Sequence, residues 1–184
     1  SNESNSKRII LGVVMKKVVV VIAIFSLLLI NGCSVKKMEE LTDAEKFANE
    51  YSISEENPFH YATVDDVLDL IDNGQSGVLF LGNSDSEWST FCVKVLNKVL
   101  NDKKVELVYY FNPETVKNKK SKKFKSITDV LSIKEDSNLP IVYVIKDGKI
   151  VDQVDYPIHD DTSLDDKDKK QLEEEYLDLV SQYV

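Results

Sequence analysis

With 184 residues the chain has room for one ordinary domain and a short additional segment. A net charge of -9 excludes general nucleic-acid binding, and two cysteines, Cys33 and Cys92, are too few for a disulfide scaffold or a cysteine-based zinc cluster. The only histidines, His60 and His159, stand isolated in an acidic chain. They read as surface or edge residues rather than ligands, and no metal or other cofactor is expected.

The chain opens with an address rather than with fold. Lys16-Lys17 is followed by thirteen uncharged residues, Val18 to Ile30, and then by Asn31, Gly32 and Cys33. A basic start, a short apolar run and a small residue ahead of a cleavage point describe a secretory signal peptide. The run falls short of the ~20 residues that a bilayer span needs. A buried amphipathic helix would show polar positions at a period near 3.6, and only Ser26 interrupts the run. Met15 reads as the initiator, so residues 1–14 are set aside as a leader and 15–32 taken as the signal. The stretch Ile30-Asn31-Gly32-Cys33 resembles the lipobox of bacterial lipoproteins. That resemblance implies cleavage before Cys33, a diacylglyceryl group on its sulfur, and a protein held on the outer face of the cell membrane. Residues 33–184 carry 19 basic and 31 acidic side chains, a net of -12. Anionic lipid repels such a body as a whole, so the lipid and not the charge is expected to hold it there.

Ser34 to Leu41 is a polar tether, and 33–57 forms one unit with the short helix that follows. Thr42 and Glu45 make a capping box, and Ala44, Phe47, Ala48 and Tyr51 give an apolar stripe at helical spacing. Asn57-Pro58 ends that segment. From 58 to 184 the elements alternate. Phe59 to Ala62 reads as a strand. Thr63 caps a helix through Val64, Val67, Leu68 and Ile71, which Asn73-Gly74 stops. Val78 to Leu81 is a strand buried on both faces. Ser86 to Leu100 is a helix through Phe91, Cys92, Val95, Leu96 and Val99, and Val105 to Phe111 is a second buried strand. Ser121 to Leu131 is a modest helix. Ile141 to Ile145 and Lys149 to Val154 form a hairpin about Asp147-Gly148. Ser163 opens a last helix with Leu172, Tyr176, Leu179 and Val180 on one face. The order β-α-β-α-β-α-β-β-α predicts an α/β domain with a parallel core sheet and an antiparallel edge.

That order, with a helix starting at Gly82-Asn83-Ser84-Asp85-Ser86-Glu87-Trp88-Ser89, resembles the thioredoxin fold. It is most similar to thioredoxin-like lipoproteins of Gram-positive bacteria, a group that includes the bacteriocin transport accessory proteins, and the similarity covers about residues 43–184. Members read aromatic-x-Gly, three residues, then Cys-Pro-Trp-Cys. Here Phe80-Leu81-Gly82 and Asn83-Ser84-Asp85 precede Ser86-Glu87-Trp88-Ser89. Spacing and tryptophan match, while both cysteines are serine and the proline is glutamate. The third change has no bearing on blocking redox chemistry and points to divergence rather than a deliberate knock-out. Leu139-Pro140 ahead of Ile141 to Lys149 matches the family's proline-strand-turn segment. The resemblance implies a cis bond before Pro140 and a groove beside the helix start that pairs with extended polypeptide.

Serine changes the chemistry. Thiol-disulfide exchange needs a thiolate attacking sulfur, and the field of a helix start that ionises a thiol cannot ionise a hydroxyl. A hydrolase reading needs a base beside Ser86 or Ser89, and neither His60 nor His159 is near in sequence. Ser86 also serves as a plain helix cap. The expected function is a redox-inactive binding or accessory module for a polypeptide or an exporter partner, through Trp88, Ser86, Leu139 and Pro140. The alternative is an oxidoreductase or relay component using Cys92, although the helical stripe marks it first as a small core residue. A third reading is a structural paralogue with an empty groove. Lys117, Lys119, Lys120, Lys122, Lys123 and Lys125 crowd one stretch, either as a solvated face or as a contact for anionic polymer or lipid headgroups. The acidic run from Asp160 to Glu175 reads as a solvated helix start and face.

Overall fold

The computed structural model describes residues 40–134, 137–155 and 165–184. The signal peptide, Cys33, most of the tether, His159 and the expected opening of the last helix at Ser163 lie outside the described residues. In chain order the elements are α1 (Asp43–Tyr51), β1 (Phe59–Tyr61), α2 (Val64–Asp72), β2 (Gly77–Leu81), α3 (Glu87–Asp102), β3 (Val108–Phe111), a single 3-10 turn (Pro113–Thr115), α4 (Lys122–Val130), β4 (Ile141–Lys146), β5 (Lys149–Asp155) and α5 (Asp166–Ser181).

The helices start where the sequence supplies a cap. The Thr42 and Thr63 hydroxyls accept from the Glu45 and Asp66 backbone N–H groups, and those carboxylates accept in return from the Thr42 and Thr63 N–H groups at 2.7 Å. Ser121 caps α4 through the Phe124 N–H. The last helix is capped by Asp165, whose Oδ1 accepts from the Asp168 N–H at 2.8 Å.

The strands order β1-β3-β2-β4-β5. β3 runs parallel to both β1 and β2, β4 runs antiparallel to β2, and β5 antiparallel to β4. Alternate side chains of β2 feed two separate cores. Val78 and Phe80 pack with Phe47, Tyr51, Leu96 and Tyr176, while Leu79 and Leu81 pack with Val67, Leu70, Phe124 and Ile127. Thus α1, α3 and α5 cover one face and α2 and α4 the other. Double coverage is why β2 and β4 read as unbroken apolar runs. This α/β arrangement, a five-stranded mixed sheet flanked by five helices, is compatible with a thioredoxin-like fold.

β3 is shorter than its apolar run predicts. The Val105 N–H turns back to the Leu100 carbonyl at 3.0 Å, and pairing resumes at Val108, whose N–H reaches the Pro58 carbonyl at 2.8 Å. Residues 105–107 therefore leave the helix rather than extend the sheet. The hairpin forms about Asp147 (φ 51°) and Gly148 (φ 72°) as the Asp-Gly pair predicts. Only glycine fits at 148, since a Cβ there would lie 2.1 Å from the Ile71 carbonyl oxygen.

Candidate functional site

The expected site lies where β2 ends, α3 begins and the chain enters β4. Leu81 is the register partner of Ile141, which sets Gly82 beside Pro140 at one end of the sheet. The Leu139-Pro140 bond is cis, as the resemblance implies. Leu139 is half-buried, Pro140 is buried, and the Leu139 backbone N–H and C=O make no hydrogen bond among the described residues.

The loop from Gly82 to Ser86 is closed by its own hydrogen bonds. The Gly82 N–H reaches the Phe111 carbonyl at 3.3 Å, and the Ser86 N–H reaches the Asn83 carbonyl at 3.0 Å. The Asp85 N–H donates to Asn83 Oδ1 at 3.0 Å. Ser86 is the N-cap of α3, its hydroxyl accepting from the Ser89 N–H at 3.3 Å. Ser89 is fully buried, and its hydroxyl accepts from the Asn83 N–H at 3.4 Å. Both hydroxyls that stand in the two cysteine positions are thus structural acceptors holding the loop to the helix. Asp85 and Glu87 are exposed at the positive end of the α3 dipole, a favourable place for negative charge.

The loop rests on an aromatic cluster. Phe47 stacks on Tyr51 and Phe59 at centroid distances of 4.5 and 4.0 Å, and Phe80 stacks on Tyr110 at 5.6 Å. The Tyr51 hydroxyl donates to that of Tyr110 at 3.0 Å, and Tyr110 donates to Glu50 Oε1 at 2.8 Å. Tyr61 donates to the same carboxylate. Burial raises the Tyr51 and Tyr110 hydroxyls well above the ordinary phenol value. A Cβ on Gly82 would lie 2.4 Å from the Phe80 ring and 3.0 Å from the Tyr51 hydroxyl, so the loop can sit this low only with glycine.

Two sequence expectations change. Trp88, expected as a binding residue, is not open to a ligand. It occupies the first turn of α3, four residues before Cys92 on the same stripe, is 3% exposed and stacks on Phe91 at 5.9 Å. It belongs to the core and offers no open face to a ligand. Phe91, read as core from its spacing, is instead half-buried. It lines a shallow groove of about 270 Å³ with Ser84, Asp85, Glu87, Thr90 and Lys94. The 3.6 period did mark this face, since Glu87, Thr90, Phe91 and Lys94 recur at i, i+3, i+4 and i+7, but an aromatic on such a stripe reads first as core.

Cys92 is wholly buried between α3 and α5, hydrogen-bonded to Tyr176, and burial pushes its thiol up to about 12. A thiolate is the reacting species in disulfide chemistry, so this cysteine is a core residue at neutral pH. His60, the histidine among the described residues, is not brought to the serines either. It lies on β1, separated from β2 by β3, with Nδ1 3.9 Å from an Asp43 carboxylate oxygen. Among the described residues there is no cluster of three metal-ligating side chains, and no helix is long and apolar enough to cross a membrane. No protein-family model matches the chain, and no curated protein matches it.

Proposed function

We propose that the protein is a lipid-anchored, thioredoxin-like binding module on the outer face of the cell membrane, redox-inactive, that holds an extended segment of a polypeptide partner. The observation that carries this reading is half-buried Leu139, whose backbone N–H and C=O have no partner among the described residues, set beside a helix start whose two hydroxyls are occupied as acceptors. Open backbone groups at a strand end accept an extended segment by strand addition. Buried or half-buried, they gain more from pairing than from staying open. The groove along the first turns of α3 is the candidate source of selectivity. Phe91 gives it an apolar floor, and Asp85 and Glu87 outnumber Lys94, so the fitting segment carries an apolar and a basic side chain. Lipid attachment at Cys33 rests on the signal pattern alone.

Panning a phage-displayed library of random peptides against the protein tests this. Enrichment of apolar-basic peptides is expected, and it should disappear with the double variant F91A/E87K while circular dichroism stays unchanged. Equal enrichment on both proteins would remove the groove from the reading. In parallel, insulin reduction should not exceed the uncatalysed rate; measurable turnover would contradict the redox-inactive reading.

A further inference from the structure

The lysines between residues 117 and 125 are left unexplained by the fold. Six of the nine residues are lysine in a chain whose net charge is -9, and all six are exposed. Lys119 pairs with Glu114 and Lys123 with Asp65, both at 2.7 Å. Lys117, Lys120, Lys122 and Lys125 have no carboxylate partner among the described residues. Their placement does not favour the helix. The other four helices carry at least one acid in the first turn, whereas α4 carries Lys122 and Lys123 there, against its dipole. Two of the lysines, Lys117 and Lys123, line a cleft of about 480 Å³ together with Asp65, Ala62, Val64 and Phe111.

A second observation gives this face a direction. The chain enters the folded unit at Thr42-Asp43, and Asp43 Oδ2 accepts from the Tyr61 N–H at 3.1 Å. Tyr61 is followed directly by Ala62 and Thr63 of the cleft, so the entry point and the cleft that Lys117 and Lys123 line both adjoin the end of β1. From Cys33 to Asp43 is ten residues, a reach of at most roughly 35 Å.

We propose that the Lys117–Lys125 face docks on the anionic phospholipid surface of the membrane that carries the Cys33 anchor. This rests on the lipid-anchor reading above. Net negative charge does not oppose it. The screening length in physiological salt is about 8 Å, so headgroups feel the facing lysines and not the acids on the far side. One lipid attachment combined with a polybasic face is a two-signal anchor, in which the lipid retains the protein and the lysines orient it. The orientation would turn the Lys117–Lys125 face and the adjoining end of β1 to the membrane.

The test uses the full chain, purified with its lipid and returned to vesicles of phosphatidylcholine alone or with one-third phosphatidylglycerol. Amine-reactive labelling is read residue by residue by mass spectrometry. The lysines at 117–125 should be labelled about three-fold less on the anionic vesicles, Lys98 and Lys149 equally on both, and the difference should vanish in about 0.5 M salt, where screening is nearly complete. In the variant K117Q/K120Q/K122Q/K125Q, Lys119 and Lys123 should be labelled equally on both vesicles. Equal labelling of the unaltered protein, with its acyl chains verified, overturns the docking face and leaves the anchor intact. Absence of acyl chains on Cys33 overturns the anchor reading and the proposal with it. Protection by added poly(glycerol phosphate) on neutral vesicles, without protection by phosphatidylglycerol, assigns the face to a soluble polyphosphate and overturns membrane docking.

Discussion

Cys92 shows how completely an environment can silence a reactive group. Its thiol is wholly buried, and burial lifts it to about 12 although Tyr176 donates a compensating hydrogen bond. In the unfolded chain the same thiol ionises near pH 8.5. The folded value is the higher one, so the protonated thiol favours the folded state. That contribution is complete below about pH 8.5 and is lost as pH rises toward 12. Native protein should resist iodoacetamide at pH 8, with labelling limited by unfolding, and react at once in denaturant. Labelling of native protein at the rate of a free thiol would show that Cys92 is accessible. Ser86 and Ser89 are silenced by a different route, since each hydroxyl is already an acceptor for a backbone N–H of the same turn.

The elements are specified locally and joined by close packing. Capping boxes at Thr42 and Thr63 start α1 and α2, and Asp147-Gly148 makes the β4–β5 hairpin. The loop before α3 depends on something less local. Gly82 has no side chain because the Phe80 ring and the Tyr51 hydroxyl, both fully buried, occupy the space a Cβ would need. Neither ring can move freely, since each stacks on other aromatics of the cluster. Gly82→Ala should therefore destabilise the protein by about 1–3 kcal/mol, the usual range for an overpacked core. Urea denaturation measures it, and a change within about 0.5 kcal/mol, the range of neutral surface substitutions, would show that the loop can lift away. At the far edge, β5 carries a register shift opposite Val144 and Ile145. A bulge on an edge strand discourages pairing with another chain, which fits the placement of the proposed groove at the strand end and not along the sheet edge.

At the scale of the molecule, the two halves of the reading rest on different parts of the chain. The folded unit begins at Leu41, and the proposed address lies ahead of it in sequence. Cys33→Ala should abolish incorporation of radioactive palmitate in cells and leave the precursor uncleaved at that point. Equal labelling of the variant would exclude this anchor. The fold itself was largely legible in the sequence. The alternation of apolar runs and helical stripes gives the element order, and the four buried positions of α5 are those its periodicity marks. The cis bond at Leu139-Pro140 followed from the resemblance. What the sequence alone determined is local: caps, turns, the face each helix buries, and the absence of thiols at the helix start. What only the tertiary structure decided is exposure. Trp88 and Phe91 are both aromatic, three residues apart on one helix, yet Trp88 is buried within the core and Phe91 is only partly buried against it. A one-dimensional period gives the direction of a stripe but not its width, and the width decides that Trp88 is core, Phe91 is groove and Cys92 is inert.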